Sequence, residues 1–112
     1  MSNKKESGLK FDDDKTRWDL VDMDTVGGMA DILTFGAKKY EDRNWEKGMK
    51  YGRLFGACMR HLTSWWMSKI RGEDGTDPET GKSHLDHAAC CIHFLASYER
   101  RGTYTEFDDR PT

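Results

Sequence analysis

No stretch of this chain approaches the roughly 20 apolar residues that a membrane-spanning helix needs. Nor is there an excess of one charge: 18 Lys and Arg stand against 20 Asp and Glu, a net of -2. That balance removes the usual electrostatic basis for binding a nucleic-acid polymer or an anionic membrane, and neither partner is expected. Cysteine is scarce, with three residues. Cys90 and Cys91 are adjacent and no C-x-x-C pair exists, so a disulfide framework is not expected and a Cys/His zinc site is weakly supported. Small, buried, reduced thiols in a cytoplasmic protein are the expectation. The charged start M-S-N-K-K-E-S-G is followed by no apolar segment, so it does not read as a secretory signal.

What is present is a charged surface with many aromatics. Charged residues make up 34% and apolar residues 36%, yet the chain holds four Trp, five Phe and four Tyr. The aromatics argue against disorder because each supplies a large buried area. The low apolar fraction predicts a thin core, or a protomer that completes its core in a homo-oligomer. At 112 residues one domain is expected. Residues 1–10 read as a flexible start, 11–102 as a single helical domain and 103–112 as a tail.

Three helices follow from the apolar spacing. The first is expected over residues 23–39, capped by Asp22 or Asp24, with Val26, Met29, Ile32, Leu33 and Tyr40 at helical intervals. Gly27 and Gly28 weaken its early turns by roughly 1 kcal/mol each relative to Ala, which suggests a close approach by another backbone or a later helix start. The second, over residues 51–70, presents Leu54, Phe55, Cys58, Leu62, Trp65, Trp66 and Ile70 as a broad apolar face. In the third, Ser83 is expected to cap, with S-H-L-D as a capping-box variant in which Ser83 accepts from the amide of Asp86. Its packing face reads as Leu85, Ala88, Ala89, Ile92, Leu95 and Ala96, and Gly102 stops it. Ahead of all three, F-D-D-D-K-T-R-W-D-L reads as an extended arm anchored by Phe11, Trp18 and Leu20. The fold class is therefore all-α, a small bundle of three main helices with an extended N-terminal arm.

The chemistry gathers around G-E-D-G-T-D-P-E-T-G-K-S-H-L-D-H. Short helix connections favour antiparallel neighbours, so this loop and the start of the third helix should form one pole of the bundle. Glu73 and Asp77 offer hard oxygen ligands for magnesium or manganese. His61, His84 and His87 would instead suit a transition metal. The blander alternative is that the acids cap the turn and the histidines bond locally, and for Asp74, Glu79 and Asp86 that alternative is preferred. Trp45 taken alone is better read as a packing anchor. With Lys38, Lys39 and Asn44 beside it, ligand contact is a fair competitor.

Four blocks together, F-D-D-D-K-x-R-W-D-L, F-G-A-K-K-Y-E-D-R-N-W-E-K-G, M-R-H-L and D-P-E-T-G-K-S-H-L-D-H, resemble the phage and bacterial family of dATP/dGTP diphosphohydrolase N-terminal domains, associated with the all-α MazG-like nucleotide pyrophosphohydrolases. The resemblance implies cleavage of a deoxynucleoside triphosphate, dGTP or dATP, to the monophosphate and pyrophosphate with Mg2+ or Mn2+, in the host cytoplasm for a phage-encoded chain. By position it implies Glu73 and Asp77 as metal ligands, His84, His87 and Asp77 as catalytic groups, and Lys39, Asn44, Trp45, Arg60 and His61 as substrate contacts. The acid pairs E-x-x-E and E-x-x-D that hold metal in related folds do not occur in the second and third helices before Glu99. Two competing readings are a histidine/aspartate-type phosphohydrolase with a transition metal at His61, His84, Asp86 and His87, and a non-catalytic module that binds a nucleotide or a protein.

Overall fold

The computed structural model describes residues 6–112. Its three main helices are α1 (Met23–Lys39), α2 (Tyr51–Arg71) and α3 (His84–Arg101), with single-turn 3-10 helices at Trp18–Leu20, Asn44–Lys47 and Thr105–Phe107. Among the described residues there is no strand, only an isolated bridge between Thr76 and Ser83. The all-α expectation holds. The expected start of residues 1–10 lies partly outside the described residues.

Each helix begins and ends where local chemistry allows. The Asp22 carboxylate accepts from the Asp24 amide at 3.1 Å and caps α1, and Lys38 and Lys39 sit at the negative end of its dipole. Gly72 and Gly102 take the left-handed conformation that ends α2 and α3. Ser83 caps α3, but its hydroxyl accepts from Leu85 rather than from Asp86. The capping box therefore does not close. Asp86 is turned instead toward α1, where it packs against Gly28: a Cβ on that glycine would lie 2.5 Å from Asp86 Oδ1. The paired glycines thus divide their roles, because Gly27 faces open space.

Helix α3 packs against both α2 and α1, with the α2 contact the larger. Cys58, Ala88 and Cys91 form the buried cluster between α2 and α3. These side chains are small, so the backbones approach closely, and the Cys58 thiol points to the Ala88 carbonyl at 3.8 Å. Ile32, Leu54, Cys90 and Tyr98 complete the buried apolar set. The buried faces differ from those the spacing suggests. Leu85, Ala89 and Ile92 on α3, and Phe55, Leu62, Trp66 and Ile70 on α2, remain exposed. The apolar surface of these helices is broader than one helix–helix contact can cover, and the bundle seals along its small residues.

Tyr98 is the hinge of the other end of the molecule. It is wholly buried, and its hydroxyl donates to the Trp45 carbonyl at 2.6 Å. Tyr51 stacks on its ring and Tyr104 lies against it. Residues 103–112, read from sequence as a tail, pack back on the body. Phe107 fills the space beside Gly48, whose φ of 100° needs a glycine. Asp109 accepts from the Gly52 amide at 2.7 Å. That bond satisfies a free amide in the first turn of α2, where Lys50 provides no side-chain cap.

Candidate functional site

The loop of residues 72–83 doubles back along α2 before α3 starts, so His84 lies beside the middle of α2 rather than at its end. Three features fold it. The Glu73 amide donates to the Ser68 carbonyl at 2.8 Å, continuing the α2 cap. Gly75, with φ 80°, passes against Trp65 and Ser68. The Asp77 amide donates to the Lys82 carbonyl at 2.8 Å, and the His84 amide to the Gly75 carbonyl at 2.9 Å. Within this frame the Asp77 carboxylate accepts from the amides of Glu79 at 2.9 Å and Thr80 at 3.2 Å. Local bonding therefore holds Asp77 in place, as Asp74 is held by Thr76.

His61 of α2 meets His84 and His87 of α3 there. The Nδ1 atoms of His61 and His84 are 2.9 Å apart. The rings of His61 and His87 stack with centroids 4.5 Å apart. His87 Nε2 lies 2.7 Å from Thr80 Oγ1 and 4.0 Å from Asp77 Oδ1. Partial burial, then the neighbouring His87 and His84, holds His61 below the ordinary imidazole range. Burial likewise lowers His87, against the opposing pull of Asp77. Both rings are thereby kept neutral near pH 7, the form that ligates metals.

His61, Asp77 and His84 each bring a ligand atom within 4.8 Å of the others. The fit to a cation can be tested on the two Nδ1 atoms. Neighbouring ligands at bond lengths of about 2.1 Å and right angles stand about 3 Å apart, close to their separation here. Two imidazoles and one carboxylate make a donor set for a first-row transition ion more than for magnesium. Glu73, expected as the partner of Asp77, is exposed and does not belong to this set. Its amide, bonded to the Ser68 carbonyl, is the part that joins the turn. Asp86, a ligand in the histidine/aspartate-type reading, is likewise outside the set and against Gly28.

A groove of about 840 Å³ between α1 and α3 reaches this cluster at His87, while His61, Asp77 and His84 lie outside its lining. His87, Glu79 and Lys39 line one part of it, and Asn44, Trp45, His93 and Phe94 another. Lys39 is bonded to Glu79 at 2.6 Å, which raises its pKa. Trp45 stacks on Phe94 and carries the Arg101 guanidinium 4.8 Å over its ring. Its ring thus packs on the body and lines the groove at once. Arg60 lies exposed on α2 and does not line the groove. His93 is the residue that sequence reasoning passed over. Its Nδ1 is buried with no hydrogen-bond partner, and burial lowers its pKa. Its position among aromatics on the groove side was not visible in a helix whose apolar spacing pointed elsewhere.

Fold and site together define a class: a small all-α domain with a histidine/aspartate pole at the head of a groove. The family model described as dATP/dGTP diphosphohydrolase, N-terminal, matches residues 5–110, and the chain belongs to that family. A curated protein of Salmonella phage PMBT28, named dATP/dGTP diphosphohydrolase, is 34% identical over 89 residues, covering 80% of this chain and 29% of that protein. The chain thus spans less than a third of the length of that relative. No solved structure matches it. Among the described residues, no helix is long and apolar enough to cross a membrane.

Proposed function

We propose that the chain binds a deoxynucleoside triphosphate in the groove and takes part in its hydrolysis to monophosphate and pyrophosphate, with a divalent transition ion held by His61, Asp77 and His84. The convergence of those three side chains, joined to the groove through His87, which stacks on His61 and lines it, carries the proposal. The name of the phage relative supplies the substrate class, dATP and dGTP.

The charge of the groove lining supports a substrate that enters with a cation. Its lining carries four acids, Glu41, Asp42, Glu46 and Glu79, against three permanent cations, Lys39, Arg43 and Arg53. A lining without net positive charge gives a bare triphosphate little attraction, and an accompanying metal ion offsets that. When bound, the ion would neutralise phosphate charge and lower the pKa of a water molecule. The protein's own groups do the rest. His87, oriented by Thr80, can accept or hold a proton at Nε2. Lys39 sits at the groove in an exposed pair with Glu79, a contact weak enough to exchange for a phosphate oxygen. Asn44 offers polar contacts in the same lining, and the apolar wall of Leu33, Phe35 and Phe94 suits a base. This reading takes the transition-metal alternative, iron or zinc at the histidines, over the expected Mg2+ or Mn2+ at Glu73 and Asp77.

The test is incubation of the pure chain with dGTP and dATP and each of Mg2+, Mn2+, Co2+ and Zn2+, with products identified. Pyrophosphate release that depends on a transition ion and falls at least about a hundredfold in His84→Ala supports the proposal. Absence of pyrophosphate with every ion contradicts it. A second reading is nucleotide binding without turnover. It is favoured by the short share of the phage relative that the chain spans, and it predicts saturable binding of dGTP with no product.

A further inference from the structure

The bundle leaves large apolar side chains bare on two surfaces. On α2, Phe55, Met59, Leu62, Trp66 and Ile70 recur every three or four residues along one side, with Trp66 75% and Ile70 81% exposed. In residues 6–22, Phe11 is 88% exposed and Trp18 and Leu20 are each 72% exposed. Apolar side chains this bare, on both a helix face and an arm, mark surfaces made for contact.

Charge says which surfaces meet. Helix α2 carries Arg53, Arg60, Lys69 and Arg71 and not one acid. A second α2 laid against it would oppose like charges. The arm is the reverse: residues 11–22 hold five Asp, at positions 12, 13, 14, 19 and 22, against Lys15 and Arg17. Arg17 is already paired with Asp19 at 2.7 Å, so Asp12, Asp13 and Asp14 remain the arm's dominant charge. Each surface thus supplies what the other lacks, aromatics for an apolar stripe and carboxylates for its basic flanks. The arm of the same chain leads into α1, and α3 lies between α1 and α2.

We propose that the α2 face is the docking site for the N-terminal arm of a second copy of this chain, forming an arm-exchanged dimer. Phe11, Trp18 and Leu20 of one copy cover the stripe from Phe55 to Ile70 of the other, with Asp12, Asp13 and Asp14 near Lys69 and Arg71. The inference stands apart from the nucleotide reading, since neither surface includes the histidine pole.

The test uses the full chain. Light scattering at about 50 μM should give twice the chain mass, and Trp66→Glu/Ile70→Glu should give the single mass with unchanged helical circular dichroism, because both side chains are exposed. Lys69→Glu/Arg71→Glu should weaken the dimer at least about tenfold, and Asp12→Lys/Asp13→Lys in the same chain should restore it. Placing p-benzoylphenylalanine at position 11, mixing with 15N-labelled chain that lacks the probe, and irradiating should cross-link to the labelled peptide holding Trp66 and Ile70. A monomeric wild type overturns the proposal. So does a dimer indifferent to the Trp66 and Ile70 substitutions, or a cross-link confined to the probe's own chain, which would mean that the arm folds back in cis.

Discussion

Gly27 and Gly28 are neighbours in α1 with opposite surroundings, and that contrast predicts opposite responses to alanine. In a helix interior, Ala is favoured over Gly by roughly 1 kcal/mol. At Gly27 nothing lies within 4 Å of the added methyl, so Gly27→Ala should stabilise by about that amount. In a domain of this size it corresponds to roughly 4 °C in Tm. At Gly28 the methyl would stand 2.5 Å from Asp86 Oδ1 and 2.8 Å from its Cγ. Overpacking of that kind costs roughly 1–3 kcal/mol. Set against the propensity gain, Gly28→Ala should lie between neutral and about 2 kcal/mol destabilised. The two variants should therefore differ by about 1–3 kcal/mol, although they alter adjacent residues in the same way. Asp86→Ala removes the obstacle. In that background Gly28→Ala should recover its propensity gain, a coupling of about 1–3 kcal/mol. Urea denaturation of the four chains at one protein concentration measures the cycle. Equal stabilisation by both alanines, with Asp86 intact, would refute the packing of α1 on the start of α3.

Other outcomes follow from the same geometry. Tyr98→Phe removes one of two donors to the Trp45 carbonyl, which keeps the Gly48 amide at 3.1 Å, and should cost about 0.5–1.5 kcal/mol in urea denaturation; no measurable change would contradict that contact. His61, His87 and His93 all have folded pKa values below the ordinary imidazole value. Each takes up a proton more readily when unfolded, so their contribution is present above about pH 6.5 and is lost as pH falls through that value toward the lowered folded ones. Denaturation followed from pH 8 to 5 should show stability falling with acidity, and the triple substitution to Gln should flatten that fall. Burial pushes the Cys90 thiol up to about 12 and the Cys91 thiol up to about 11, and raises Cys58 as well. A disulfide reagent at pH 8 should therefore label the native chain slowly at these sites and the urea-unfolded chain fast at all three; equal rates would place the thiols at the surface.

Periodicity and caps made the helices legible. Asp22 and Gly102 mark ends that the structure bears out, because those signals act within a few residues. Which face each helix buries was less legible. Large side chains such as Trp66 and Ile92 drew the expected contact toward themselves, whereas the helices meet along Cys58, Ala88 and Cys91, where backbones can approach. The histidine pole was visible as a set of residue types around one turn. Its membership was not. Glu73 and Asp77 look alike in sequence, but one ends in solvent beside the α2 cap and the other is fixed by the amides of Glu79 and Thr80. His93 was missed because an orphaned ring nitrogen is a property of its neighbours, Trp45 above all, which lie far away in the chain.

Metal binding tests the central claim most directly. Apo protein titrated with Mn2+ and Zn2+ in a calorimeter, with the bound ion then assayed by elemental analysis, should show one site per chain. His61→Ala, Asp77→Ala and His84→Ala should each weaken it by at least about tenfold, while Glu73→Ala leaves it unchanged. Loss on Glu73→Ala but not on His84→Ala, or no stoichiometric ion at all, would contradict the assignment of the metal to His61, Asp77 and His84.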